Sequence, residues 1–149
     1  MTSLRSSNDE AIQFIRGLTG YTPNDQSRLS EALQAAGYSS QDGNKNLALP
    51  GDAVIKVHLI MQGLQRHQCR ERINIVVSSI ASNDNLGRRG FELGLEQYIQ
   101  GNPAQRGEVS TRTMATTLEA IIGAIFIDSG FDYAVISNVM ARLGLGWPQ

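Results

Sequence analysis

Cysteine is nearly missing from this sequence. Cys69 is the only one in 149 residues, which excludes an internal disulfide and any multi-cysteine metal site. A reducing, intracellular setting is the simpler expectation, with cytoplasm, nucleus and mitochondrion unresolved. No uninterrupted apolar run reaches the roughly 18 residues of a membrane helix, so no membrane association is expected. An excess of one charge is lacking too. The formal net charge is -1 and charged residues make up 18%, so RNA contact would need a local basic patch rather than an overall positive field. Met1 to Asn8 carries one Arg and is followed at once by Asp9 and Glu10, which makes a poor signal or transit peptide. Internal repeats, low-complexity stretches and strand-like alternation are also wanting.

What is present is a set of short helical segments punctuated by glycine and proline. With 41% hydrophobic residues, the chain can bury a core of one domain. A first helix is expected over about 9–18, with Ile12, Ile15 and Phe14 inward. A second is expected over about 27–36, capped by Ser27 or Asn24. A strongly apolar helix runs through Ala53 to Leu64, with apolar residues on most sides, and is expected to be central. Further helices are expected over about 69–80, 86–93, 111–129 and 131–143. Asn83-Asp84-Asn85 forms the cap region of one, and 101–107 is a loop. The fold class is all-α. The domain is expected to span 1–145, with 146–149 a C-terminal tail and no double-stranded RNA-binding domain.

Two acids sit where a core is expected. Asp52 follows Gly51 near the head of the central helix, and Glu119 lies within Leu118-Glu119-Ala120-Ile121-Ile122. An ionised carboxylate there costs several kcal/mol unless it is paired, hydrogen-bonded or metal-bound. Either Asp52 favours a helix N-terminus while Glu119 meets an Arg or a backbone N–H, or both face one divalent cation, because Mg²⁺ takes oxygen ligands. His58, His67 and Cys69 are too few for a zinc site.

Four blocks carry a resemblance. Asn44-Lys45-Asn46-Leu47-Ala48-Leu49-Pro50-Gly51-Asp52-Ala53-Val54 resembles the ribonuclease III signature N-E-R-L-E-F-L-G-D-A-V. Ser82-Asn83-Asp84-Asn85-Leu86 with Glu92-Leu93-Gly94-Leu95 resembles S-N-E-N-L…E-L-G-L. Ala115 through Phe131 resembles A-D-x-x-E-A-L-I-G-A-I-Y-L-D-x-G-F. Gly20-Tyr21-Thr22-Pro23 with Leu29-Ser30-Glu31-Ala32-Leu33 is similar to the family's opening. The resemblance implies an all-helical, dimer-forming ribonuclease III-type domain that cuts double-stranded RNA with Mg²⁺-activated water. Four carboxylates, at positions 48, 52, 116 and 119, would hold the metal. Positions three or four apart share a helix face, so two crossing helices can gather them.

The departures fall on that site. Ala48 and Thr116 replace two of the four acids, leaving Asp52 and Glu119, and Lys45 stands where the signature has Glu. Metal affinity depends on carboxylate count, and without the metal a nucleophilic hydroxide and transition-state charge stabilisation are missing. Lys56, four residues after Asp52, can neutralise it or lie solvated at a helix edge. Thr116 and Thr117 can bond back to the helix backbone. Pro50 is expected to start or kink the central helix. Leu49 stands in for the family's Phe that plugs the partner subunit, so it is the dimer-interface candidate.

These readings imply a ribonuclease III-like protein, catalytically impaired or inactive, acting in RNA binding or processing as a homodimer or as a heterodimer with a related protein. Double-stranded RNA would bind weakly, through Lys45, Arg106 and Arg112. Further basic groups are Arg66, His67, Arg70 and Arg72, and Arg88 with Arg89. One alternative is an active Mg²⁺-dependent endoribonuclease that borrows Asp42 or Glu108. The other is a structural ribonucleoprotein component, as in mitochondrial ribosomes.

Overall fold

The computed structural model describes residues 2–101 and 108–149, with side chains from residue 7 onward. Seven α-helices occupy these residues: α1 (Thr2–Thr19), α2 (Gln26–Ala32), α3 (Lys45–Gln65), α4 (Arg70–Ile80), α5 (Asn83–Glu92), α6 (Thr111–Asp128) and α7 (Tyr133–Leu143). A 3₁₀ turn spans Leu95–Tyr98. The all-α expectation holds across the described residues. Most of the expected loop 101–107 lies outside them, and so does Arg106.

Helix α6 is the hub. Met114, Leu118, Ile121, Ile122 and Ile125 are among its fully buried side chains, and it packs mainly on α3 and α5. Ser110 caps it by accepting from the Thr113 N–H at 3.0 Å, which satisfies a donor that the helix start leaves unpaired. Helix α1 buries Ala11, Ile12 and Ile15, while Phe14 stacks on Tyr98 with centroids 4.5 Å apart.

Several boundaries differ from expectation for identifiable reasons. Helix α1 starts earlier, at Thr2. Asp25 rather than Ser27 or Asn24 caps α2, accepting from the Ser27 N–H. Helix α2 stops at Ala32 because the next residues pair elsewhere: Gln100 N–H donates to the Leu33 carbonyl at 2.8 Å, and Ala35 N–H donates to the Gln100 carbonyl at 2.9 Å. Helix α5 starts at Asn83 with Ser82 as its cap, and Asp132 caps α7 two residues beyond the expected start.

Pro50 neither starts nor visibly ends the central helix: α3 runs unbroken from Lys45 to Gln65. The only N–H that Pro50 removes is the one that would reach the Asn46 carbonyl. Asn46 is exposed, so water can serve that oxygen. The expected tail is also partly corrected. Leu145 is fully buried and Trp147 packs with Ile73 and Val76, while the Trp147 N–H donates to Gln62 Oε1 at 2.7 Å.

By length and mean hydropathy, 1.2, α3 resembles a membrane span. The core helix of a folded domain passes the same test, and Asp52 and Lys56 interrupt its apolar run. It is central on one side only. Leu47, Val54, Ile55, His58 and Leu59 are buried, whereas Leu49, Val57, Ile60, Met61 and Leu64 are exposed.

The register of α3 against α6 is set by two glycines. A Cβ on Gly51 would sit 1.7 Å from the Glu119 carbonyl oxygen, and one on Gly123 would sit 2.0 Å from the Leu47 carbonyl oxygen. The backbones therefore touch directly, and any larger residue must force the helices apart. Gly51→Ala and Gly123→Ala should each lower stability by about 3 kcal/mol, or roughly 6–12 °C in melting temperature. Gly17→Ala, with nothing within 4 Å of its Cβ, should be neutral or raise stability by about 0.5–1 kcal/mol. Thermal melts of the three variants check this; equal, small effects at all three positions would contradict the close crossing.

Candidate active site

Direct backbone contact brings the N-terminal end of α3 against the middle of α6. The cavity between them, about 320 Å³, is lined by Lys45, Ala48, Leu49 and Asp52 from α3 and by Arg112, Thr116 and Glu119 from α6. Asp52, Glu119, Lys45, Arg112 and Leu49 are thus in one place, together with Ala48 and Thr116. Ala48 keeps its helical position one turn before Asp52, so Pro50 does not disturb that geometry.

The acidic side of this cavity is internally compensated. Lys56 Nζ lies 3.1 Å from Asp52 Oδ2. Burial first, and then the adjoining Asp52 carboxyl, push Glu119 up to about 8, with Lys56 opposing. Glu119 therefore favours its protonated form, while Asp52 is engaged by the Lys56 ammonium. Both members of that pair are more than a third exposed, so it contributes little to stability.

A divalent ion fits these residues poorly. Among the described residues, no group of three or more His, Cys, Asp or Glu side chains is placed to hold a metal. Two carboxyls, one protonated and one already engaged by an ammonium, fall short of the oxygen-rich shell Mg²⁺ requires. Asp42 and Glu108 are exposed and do not line the cavity.

Other side chains have structural work. Asn44, the first residue of the signature, is buried and donates to the Ala32 carbonyl at 2.7 Å and to Thr117 Oγ1 at 3.0 Å. Thr117 donates in turn to the Thr113 carbonyl at 2.8 Å, tying the loop before α3 to α2 and α6. Sequence reasoning missed Asn44, although a polar residue heading an apolar helix is a recognisable signal. His58 is buried, with Nδ1 2.9 Å from the Tyr133 hydroxyl, and burial lowers its pKa; it is a core histidine. Arg88 and Arg89 are not free cations, because both pair with Glu92 and Arg89 Nε donates to the Leu143 carbonyl at 2.6 Å.

Known proteins agree with this architecture. The ribonuclease III domain family matches residues 45–130, and the chain belongs to that family. Ribonuclease 3 of Shewanella sediminis is 31% identical over 87% of this chain and 60% of its own length. Ribonuclease 3 of Coxiella burnetii is 32% identical over 63% of this chain and 42% of its own length. The chain thus spans about half the length of such relatives. A structure of the nuclease domain of ribonuclease III from Campylobacter jejuni superposes with a TM-score of 0.80 at 20% identity, covering 89% of this chain and 94% of that one. A second structure of that domain gives 0.73 at 19% identity, covering 88% and 92%. The fold is the all-α ribonuclease III type. One of these structures is described by flexibility in the region involved in its dimer formation.

The raised Glu119 pKa has a definite sign in stability. The folded chain keeps a proton that the unfolded chain releases between pH about 4.5 and about 8, so stability falls as pH rises through that window. Glu119→Gln should flatten the slope and stabilise the domain at pH 8 by about 1 kcal/mol after allowance for solvent screening, or roughly 2–4 °C. At pH 4.5 variant and parent should melt alike. Urea titrations across this range check it, and parallel pH profiles would contradict it.

Proposed function

We propose that this ribonuclease III-type domain has lost, or nearly lost, metal-dependent cleavage and serves as a dimeric binder of double-stranded RNA. The observation that carries this reading is the Asp52–Lys56 ion pair at 3.1 Å, in a cavity where Ala48 and Thr116 occupy the other two acidic positions. An internal ammonium already does the neutralising that a metal would do. Without a bound ion there is no activated hydroxide and no divalent charge against the scissile phosphate. The exposed Cys69 thiol suits a reducing compartment.

Support for self-association comes from the outer face of α3. At 100° per residue, Leu49, Ala53, Val57, Ile60, Met61 and Leu64 fall within an arc of about 120°. Leu49 is 71% exposed. A continuous apolar stripe on a helix otherwise built into the core marks a surface that a partner covers, and a second copy presents the same stripe in a two-fold arrangement. Leu49 sits at one end of it, beside the cavity, so each subunit would border the other's cleft. Ile60→Lys should convert the dimer to a monomer in sedimentation equilibrium with unchanged helical circular dichroism. A parent chain that is already monomeric at tens of micromolar would remove this part of the reading.

Restoration tests the catalytic part. Ala48→Glu combined with Thr116→Asp rebuilds the four-carboxylate set, and Lys56→Ala in that background clears the competing cation. The parent should cut long duplex RNA in Mg²⁺ or Mn²⁺ at least about a thousandfold more slowly than a carboxylate-complete relative. The rebuilt variants should gain measurable metal binding. Equal, robust cutting by parent and rebuilt chain would overturn the reading.

A further inference from the structure

We propose that the cleft beside the former metal cavity is a phosphate-binding pocket, so that a site for cations has become a site for an anion. A second cavity, about 330 Å³, adjoins the first and is lined by Asn44, Lys45, Ser110, Arg112, Thr113 and Thr116 together with Ala35 and Ala36. Lys45, Arg112 and Thr116 line both cavities and stand where the two meet. Among the described residues, no carboxylate lines the second one. Lys45 comes from α3 and Arg112 from α6, and among the described residues neither is in a salt bridge. Two unpaired cations converging from separate helices on a carboxylate-free hollow attract a negative group.

The hydroxyls suit the same ligand. Ser110 donates to Thr113 Oγ1 at 3.0 Å and accepts from the Thr113 N–H. Ser110 is thereby occupied, while the Thr113 hydroxyl proton remains free to donate outward. Thr116 lines both cavities where an acid would repel an anion. A guanidinium can grip a phosphate through two parallel hydrogen bonds, with an ammonium adding a point charge. At about 330 Å³ the hollow is at the small end of ligand sites, with room for a phosphate ester and part of its sugar. In the first cavity Lys56 already engages Asp52 at 3.1 Å, so that carboxylate does not oppose it. The ligand class is a phosphate ester, either one in an RNA strand or a free phosphate or nucleotide.

The pocket deepens the RNA-binding reading without depending on cleavage, and the test keeps the two apart. Inorganic phosphate and, separately, a nucleoside 5′-monophosphate are titrated into the full chain at low ionic strength and followed by amide chemical shifts. Saturable shifts should centre on Thr113 and Thr116. Lys45→Glu and Arg112→Ala should each weaken the apparent affinity about tenfold or more, with melting temperatures unchanged because both side chains are exposed. Arg72→Ala, at an exposed cation that lines neither cavity, should leave phosphate affinity within twofold. Shifts that scatter over the surface, fail to saturate, or persist equally in both variants overturn the pocket. A duplex-RNA arm separates the sources. RNA binding that weakens in the same two variants places a strand phosphate in the pocket. Saturable phosphate binding without RNA binding upholds the pocket for a free ligand and overturns the RNA reading instead.

Discussion

Everything in this domain that bears on chemistry depends on two helices touching through their backbones. Gly51 lies against the Glu119 carbonyl and Gly123 against the Leu47 carbonyl. A glycine inside a helix costs about 1 kcal/mol relative to alanine, and here that cost is offset by a separation no side chain allows. The contact fixes which residues share the cavity. Positions 48 and 52 of α3 and 116 and 119 of α6 face one another because the crossing sits between them. The scaffold of a carboxylate site is therefore intact while its chemistry has changed.

The change is one of charge. Four acids at such a crossing repel one another, and that repulsion makes a divalent ion welcome. With Ala48 and Thr116 in place, the residual repulsion is small enough for one ammonium and one retained proton to absorb it. Lys56 reaches Asp52 along its own helix, and Glu119 stays protonated because burial disfavours its charged form. Lys45 and Arg112 at the rim then dominate the local field.

Much of the helical frame was legible in the sequence, because apolar periodicity marks α6, α3 and α7, whereas the candidate site residues came from the resemblance to ribonuclease III motifs. The misreadings have physical causes. Helix α2 ends early because Leu33 and Ala35 pair with Gln100, a partner distant in sequence. Pro50 looked like a breaker, but near a helix start on a solvated side it costs one hydrogen bond rather than the helix. Trp147 looked like tail because nothing local indicates that it packs with Ile73 and Val76. Arg88 and Arg89 looked like an RNA patch although Glu92, within one turn on the same helix, pairs with both. Apolar residues around most of α3 suggested a central helix, yet Leu49, Val57, Ile60, Met61 and Leu64 are exposed in a single chain.

Crystals of the unaltered chain grown with millimolar Mn²⁺ test the central claim most directly, because the metal's anomalous scattering locates it without reference to activity. No manganese peak is expected between Asp52 and Glu119, with the Lys56 ammonium still on Asp52. A fully occupied manganese bridging the two carboxylates, with Lys56 swung away, would contradict it.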